Sequence, residues 1–464
     1  MNNRSRLKVM KPALLSAAAL TLVACQSTAA NRTLGDIATD EARLPSAWQV
    51  EVEANTLPGD WSDLFDDAQL RDYLAMAEAN NLDLKQAEAR VRQSAASLRQ
   101  SRALLGPTVN ADLSATGLSE LSDFDQTSDS GSASASGAWN PDLFGVNRAT
   151  IRQAEAQLDV QRASTARLRR AILAQTARSY FQIIEADQQL GLAQENLTFL
   201  DETRRVSEAR FEAGDIARSD LALAELEYEN AVAGLRNQEF AARSARRALS
   251  IILGDFGSAD LAVSERLPNA ANLGLSALPA ELLEARYDVR AARAAVTAEL
   301  EAFEVTRRAN WPSLRFSGRV GSSGAEVSDL FDPDFYIASL TAGLSAVLFD
   351  SGRNAAQVEA AEARIDAALA AYAATVRGAV FDVNESFDQS ATLRQALEAL
   401  ERGRASAEEA LALEQIKFDL GETILLDVLT VQRRVNAIRG ARINTERRLL
   451  DAQVDAYLSL GDAG

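Results

Sequence analysis

Two long stretches of this chain, 146–254 and 350–460, carry apolar residues at heptad spacing and contain no proline. Val358, Ile365, Tyr372, Leu393 and Leu400 share one heptad position, with Ala379 and Ser386 filling the gap; Leu369, Val376, Val383 and Leu397 share another. Ile183, Leu190 and Leu197 keep the same period in the first stretch. A sustained seven-residue repeat predicts coiled-coil packing. An unbroken helix over 146–213 would reach about 100 Å at ~1.5 Å per residue, a length ordinary globular domains rarely use. Each stretch has one strong interruption, Phe211-Glu212-Ala213-Gly214-Asp215 and Phe418-Asp419-Leu420-Gly421-Glu422. Glycine suits the left-handed position just past a helix end, so each stretch predicts a helix, a tight turn at Gly214 or Gly421, and a second, antiparallel helix.

A different period rules 107–141 and 312–349. Val109, Ala111, Leu113 and Ala115 alternate with Asn110, Asp112, Ser114 and Thr116. Leu314, Phe316, Gly318 and Val320 alternate with Arg315, Ser317 and Arg319, and Tyr336, Ala338, Leu340, Ala342 and Leu344 alternate with Ile337, Ser339, Thr341, Gly343 and Ser345. Period two with one apolar face predicts strands, at about 108–117, 131–140, 313–321 and 335–346. The 131–138 run of Gly, Ser and Ala gives the weakest signal. Gly, Ser, Asp and Thr in 117–130 and 321–334 predict solvated loops. Strands of about ten residues match tilted membrane-spanning strands, and Trp139 and Trp311 fall where an aromatic belt would lie. A soluble hairpin packed on helices satisfies the alternation equally well.

The chain is also duplicated. Leu82-Asp83-Leu84-Lys85 returns as Tyr287-Asp288-Val289-Arg290, Gly106-Pro107 as Trp311-Pro312, and Leu143-Phe144 with Arg148 as Leu348-Phe349 with Arg353, all at an offset of 205. The Gly turns, with Asp220 and Asp427, match at 207. Two copies of one unit, a helix, two strands and a long helical hairpin, therefore occupy 71–254 and 281–460. A linker at 255–280 separates them, and an N-terminal extension, 25–70, precedes them.

Composition narrows the function. The chain has 464 residues, 88 of them Ala, the strongest helix former, so it reads as mainly α. It has no His and one Cys, which removes histidine acid–base chemistry, the Ser-His-Asp triad, internal disulfides and thiolate metal clusters. No carboxylate pair sits in a Gly-rich loop or at metal-ligand spacing, so neither an enzyme nor a cofactor is expected. A net charge of −18 argues against nucleic acid as a partner. The start, with Arg4, Arg6, Lys8 and Lys11 before an apolar run from Ala13 to Val23, reads as a signal peptide over 1–24. Its end, Leu22-Val23-Ala24-Cys25, resembles a bacterial lipobox, in which Cys25 would carry covalent lipid; a plain signal peptide with an incidental Cys is the other reading. Gln26 after Cys25 favours, by analogy, the outer membrane. No later segment has the long apolar run of a membrane helix, so strands must do any spanning.

Four strands alone leave two open edges, which lipid forbids, so a spanning form must oligomerise. This layout resembles the TolC-like outer membrane efflux proteins, and its lipidated start resembles their NodT-type branch. The resemblance covers roughly 45–460. It is carried by Trp61, Phe65, Leu70 and Leu74; Asn80-Asn81-Leu82-Asp83-Leu84 with Ala87, Arg90 and Val91; Asp142-Leu143-Phe144-Gly145; Ala285-Arg286-Tyr287-Asp288-Val289; Leu348-Phe349-Asp350-Ser351-Gly352; and the two Gly turns. Tyr287 stands where the family usually has Pro. The resemblance implies a homotrimer whose twelve strands close a barrel in outer membrane lipid, continued by a periplasmic coiled-coil α-barrel. Its tip would dock a periplasmic adaptor and, through it, an inner-membrane pump of the resistance–nodulation–division (RND) type. The function implied is passive export of drugs or other small molecules. A type I protein-secretion duct and a lipid-anchored periplasmic scaffold stay open as alternatives.

At the tip, the resemblance implies a gate. Asp427 matches a constriction carboxylate and Asp220 an acidic gate position; Phe418 replaces a Tyr, Thr430 stands at a second acidic ring, and Thr423 replaces an Arg gate partner. Arg210 and Arg218 are the nearby cations that could pair with Asp220. Arg210, Arg218, Leu221, Leu425 and Leu429 are candidate adaptor contacts, with core packing as the other reading for the leucines. For Asp220 and Asp427 the other reading is capping of a helix first turn, where acids favour the N-terminal dipole.

Overall fold

Side chains that accept backbone N–H bonds start most of the helices, and turns in which the chain reverses end the longest ones. The computed structural model describes residues 65–120, 123–258, 260–269, 285–324 and 332–461. The signal segment, Cys25 and most of the N-terminal extension lie outside the described residues, as does the later part of the linker.

Helix α1 spans Ala68–Asn80 and α2 Leu82–Ala103. Asp67 caps α1 through the N–H groups of Gln69 and Leu70, and Asn81 caps α2 through those of Asp83 and Leu84. Strands β1 (Thr108–Glu120) and β2 (Asp123–Trp139) follow. Then come α3 (Val146–Glu212) and α4 (Arg218–Ile252). The second copy runs α5 (Tyr287–Arg308), β3 (Ser313–Gly324), β4 (Tyr336–Ser345), α6 (Arg353–Leu420) and α7 (Leu425–Ser459). Two departures from the sequence expectation stand out. The first copy has two short helices before its strands, because Asn81 ends α1 and restarts α2. The first hairpin is also longer than its alternation: 117–120 and 123–130, expected as loop, are ladder, with Gly117 opposite Asp129 and Ser119 opposite Thr127. Ladder hydrogen bonds join backbones, so a polar stretch can pair as well as an apolar one.

Helix α3 is the spine: α4, α5, α2, α7 and α1 all pack along it, and α5 also packs on α6. The main core sits midway along the helices, where Phe65, Leu70, Tyr73, Tyr180, Phe181, Ile184, Leu249 and Leu450 are buried. A buried polar knot joins it: Tyr180 donates to Asp67 (2.7 Å), Ser264 donates to the same carboxylate oxygen (2.7 Å), and the Ser264 N–H donates to the Tyr180 oxygen (3.1 Å). Burial opposes ionisation of Asp67, yet the bonds from Tyr180, Ser264, Leu70 and Gln69 outweigh it and hold the carboxyl below its usual range. Burial pushes the Tyr180 hydroxyl up to about 12.

The resemblance motifs acquire physical roles. Asp142 accepts from the N–H groups of Asn147 and Arg148 at the start of α3, and Asp350 from those of Gly352 and Asn354 at the start of α6. Arg286, only 7% exposed, donates to Asp288 (2.7 Å), Asp382 (3.0 Å) and the Ser459 carbonyl (2.9 Å). One guanidinium thus bolts α5 to α6 and to the end of α7.

Candidate functional site: a two-faced sheet and the helical tips

The four strands form one antiparallel sheet in the order β1-β2-β3-β4. Its register brings the alternations into phase. Val109 lies opposite Gly137, Gly137 opposite Gly318, and Gly318 opposite Leu340. The next rungs on that face join Ala111, Ala135, Val320 and Ala338, and on the other side of it Trp139, Phe316 and Ala342. Directly opposed residues share a face, so one side of the sheet is apolar across all four strands. The other side joins Asn110, Ser136, Arg319 and Ser339 on one rung and Thr108, Ala138, Ser317 and Thr341 on another. Ser114 and Ser132 hydrogen-bond across it at 2.7 Å.

The strong packing contacts of the strands are with one another, not with a helix, and every residue of β4 is exposed. Leu340 is 86% and Leu113 78% exposed. That arrangement speaks against the soluble hairpin packed on helices, since no helix among the described residues packs over the apolar face. In lipid that face is satisfied, whereas turning the sheet over would put Arg315 and Arg319 in hydrocarbon, at about 2–4 kcal/mol for a midplane Arg. At the sheet base, Trp139 stacks on Phe316 (6.0 Å) and donates through Nε1 to the Leu105 carbonyl (3.0 Å), and Phe144 meets Trp311 edge-on (5.1 Å). Aromatic residues with a polar handle favour the membrane–water boundary. Strands β1 and β4 are the sheet's two edges.

At the opposite end of the helices, both turns have the same build. Asp215 N–H bonds to the Arg210 carbonyl (2.8 Å) and Gly214 N–H to that of Phe211 (3.0 Å); Glu422 and Gly421 repeat this with Lys417 (2.9 Å) and Phe418 (3.1 Å). Gly214 (φ 82°) and Gly421 (φ 75°) occupy the left-handed region that this motif needs. Asp220 accepts from the Ala217 N–H (3.2 Å), half of a capping box, since Ala217 has no side-chain acceptor to complete it. Asp427 accepts from the Thr423 hydroxyl (2.9 Å), and the Thr430 hydroxyl turns back to the Leu426 carbonyl (2.7 Å).

The tip corrects several expectations. Neither Arg210 nor Arg218 pairs with Asp220. Arg210 lies over the Phe418 ring (4.5 Å), and Arg218 pairs with Glu225 (3.3 Å) and lies over Phe211 (5.8 Å). Leu221, Leu425 and Leu429 are buried, the last two in a tip core with Leu200, Ala224 and Phe418. In this conformation they cannot be adaptor contacts; they hold the hairpins together. Leu413, Ile416, Leu420 and Ile424 form the exposed apolar surface there, which the sequence reading missed. Leu413, Ile416 and Leu420 recur every three to four residues near the end of α6, while Ile424 lies past the Gly421 turn at the start of α7.

A sheet with one lipid-suited face, two edges unpaired among the described residues and helices of about 100 Å is the shape of a stave of a membrane barrel continued by a helical tube. The profile of the outer membrane efflux protein family matches residues 73–255 and 278–462, and the chain belongs to that family. It is 30% identical over 471 residues to the pyoverdine export outer membrane protein OpmQ of Pseudomonas aeruginosa, covering 97% of each chain. Nodulation protein T of Rhizobium leguminosarum is 26% identical over 413 residues, 86% of this chain and 82% of that protein. A crystal structure of a membrane protein from Pseudomonas aeruginosa superposes with a TM-score of 0.81 at 27% identity, covering 90% of this chain and 97% of that one. The protein is an outer-membrane efflux channel with a periplasmic helical extension, and not an enzyme. Channels of this family are trimeric and work with an adaptor and an inner-membrane pump.

Proposed function

We propose that three copies of this chain close a twelve-stranded barrel by pairing β4 of each with β1 of the next, and that the tube exports small molecules, drugs among them, delivered by a periplasmic adaptor and an RND-type pump. The observation that carries the reading is the sheet with one continuous apolar face and two unpaired edges. A closed barrel satisfies both features together, since lipid tolerates no open edge. Cys25 carries the lipid that tethers the mature N-terminus to the outer membrane. The gate lies at the periplasmic tip: Asp427 and Asp220 ring the opening, Thr430 lies one turn further in, and Phe418 under Arg210 takes the place of a polar latch. Arg210 and Arg218, which stay partly or fully exposed, meet the adaptor.

The test is the size of the detergent-solubilised protein together with dye efflux from a deletion strain. A heat-modifiable trimer is expected, with efflux restored by the wild-type gene. A monomer released from membranes by carbonate refutes the barrel. A trimer that restores export of a protein substrate but not of dye would instead make the chain a type I secretion duct. Acyl-chain labelling that survives Cys25→Ala would remove the lipid anchor.

A further inference from the structure

The polar face of the sheet is not neutral. Arg315 and Arg319 both lie on β3, four residues apart, so their side chains share that face roughly 13 Å apart along the strand. Both are exposed, and neither has an ion-pair or hydrogen-bond partner among the described residues. Their neighbours across the ladder are small and uncharged: Ser136 and Ser339 beside Arg319, and Gly343 beside Arg315. The only acid on this face whose side chain is described is Asp112 on β1, two strand spacings or about 10 Å from β3. Closing the barrel brings in another copy of Asp112 no nearer, because β4 lies between.

An unpaired arginine needs a reason, and packing does not supply one, since both side chains reach into open space. Among the described side chains this face carries two arginines against one aspartate, in a chain whose net charge is −18. Resting on the barrel reading above, we propose that Arg315 and Arg319 form a cationic girdle inside the lumen that favours passage of anionic solutes, small molecules bearing carboxylate, sulfonate or phosphate groups. Field lines in a narrow water-filled bore with low-dielectric walls are focused along it, so a few fixed charges set which ions enter. Threefold symmetry repeats each arginine around the bore.

The experiment uses the full-length trimer in planar bilayers under a KCl gradient, with reversal potentials giving the potassium-to-chloride permeability ratio. A charge about 8 Å from the ion path in water changes local ion concentration by about two- to threefold. R315Q/R319Q is therefore expected to raise the potassium preference by about threefold or more, and R315K/R319K to leave it near the wild-type value. D112N should move it the other way. Both shifts should fade in about 1 M salt, where the screening length falls to ~3 Å. An unchanged ratio in R315Q/R319Q with normal conductance overturns the girdle; so does a lysine variant that shifts as far as the glutamine one. If the glutamine variant does not insert, the wild type decides: tripolyphosphate added on the barrel side should reduce current more than the same addition on the helical side, and equal effects overturn the proposal. Wild-type protein that runs as a monomer in detergent would refute the barrel reading itself, and the girdle with it.

Discussion

Leu340 and Thr341 are neighbours on β4, yet the register puts them in different solvents. Leu340 shares its rung with Gly318, Gly137 and Val109, and Thr341 with Ser317, Ala138 and Thr108. Ten residues of β4, at about 3.4 Å each and tilted by about 40°, rise roughly 26 Å, which matches the apolar band of an outer-membrane barrel. Leu340 is the fifth of those ten and so sits near the midplane. Leu340→Arg should then cost about 2–4 kcal/mol in each subunit, and roughly 6–12 kcal/mol in a trimer, where the penalty is taken three times. Thr341→Arg points the same side chain into water and should cost within about 1 kcal/mol. The assay is trimer abundance in outer-membrane fractions by semi-native electrophoresis, with thermal dissociation of the purified protein in detergent as a second reading. L340R should leave little or no assembled trimer while T341R assembles near the wild-type level. Equal loss in both variants, or a greater loss in T341R, would falsify the assignment of faces.

Two further predictions concern the periplasmic helices. Arg286→Met leaves the Asp288 and Asp382 carboxylates without their shared cation and should destabilise the fold by about 3 kcal/mol, seen as a lowered thermal midpoint. Burial alone would raise the Asp288 carboxyl, but Arg286 holds it below its usual value, and an unchanged midpoint in the variant would show that the clamp carries no weight. Asp67 sets a pH dependence. Its folded pKa lies below the unfolded value of 3.8, so its contribution is present above that value and is lost as pH falls through the folded one. The gap in thermal midpoint between wild type and Asp67→Asn should be widest near about pH 7 and narrow towards about pH 3. A constant gap across that range contradicts the linkage.

How much of this was legible in the sequence differs by element. The alternations in 108–116, 313–320 and 336–345 carried the strands because each had a face to bury in lipid. The run 131–138 carried little, since Ala, Gly and Ser hardly distinguish two faces; β2 is a strand because it pairs on both sides. Its polar start at 123–130 was unreadable for the same reason, as pairing there needs no apolar face. Asn81 and Arg286 could be picked out by resemblance, but the bonds from Asn81 to the Ile252 carbonyl and from Arg286 to Ser459 and Asp382 needed coordinates, because those partners are distant in sequence. At the tip, an apolar residue beside a turn can face the partner helix or the outside with equal periodicity. Sequence therefore could not separate buried Leu425 and Leu429 from exposed Leu420 and Ile424.

The two repeat offsets, 205 and 207, also take on a physical meaning. Helices α2 and α5, each 22 residues long, start at 82 and 287 and keep the first offset, as do the starts of β1 and β3 at 108 and 313. From Val146 and Arg353, the starts of α3 and α6, to the Gly turns and the starts of α4 and α7, the second offset holds. The two-residue difference therefore lies at the corner where sheet passes into long helix. The cap follows the change: Asp142 precedes Leu143-Phe144 in one copy, while Asp350 follows Leu348-Phe349 in the other. Two residues inserted within a helix would turn everything beyond them by about 200° and carry the buried stripe to the far side. At the corner they turn nothing. Buried positions accordingly still match at 207 along the helices: Ile172 with Ala379, Thr176 with Val383, Ser179 with Ser386 and Tyr180 with Phe387. The duplicated unit could diverge in length only where strand period and helix period meet. That constraint keeps both hairpins in phase, so that Arg210 of the first copy and Phe418 of the second meet at the tip.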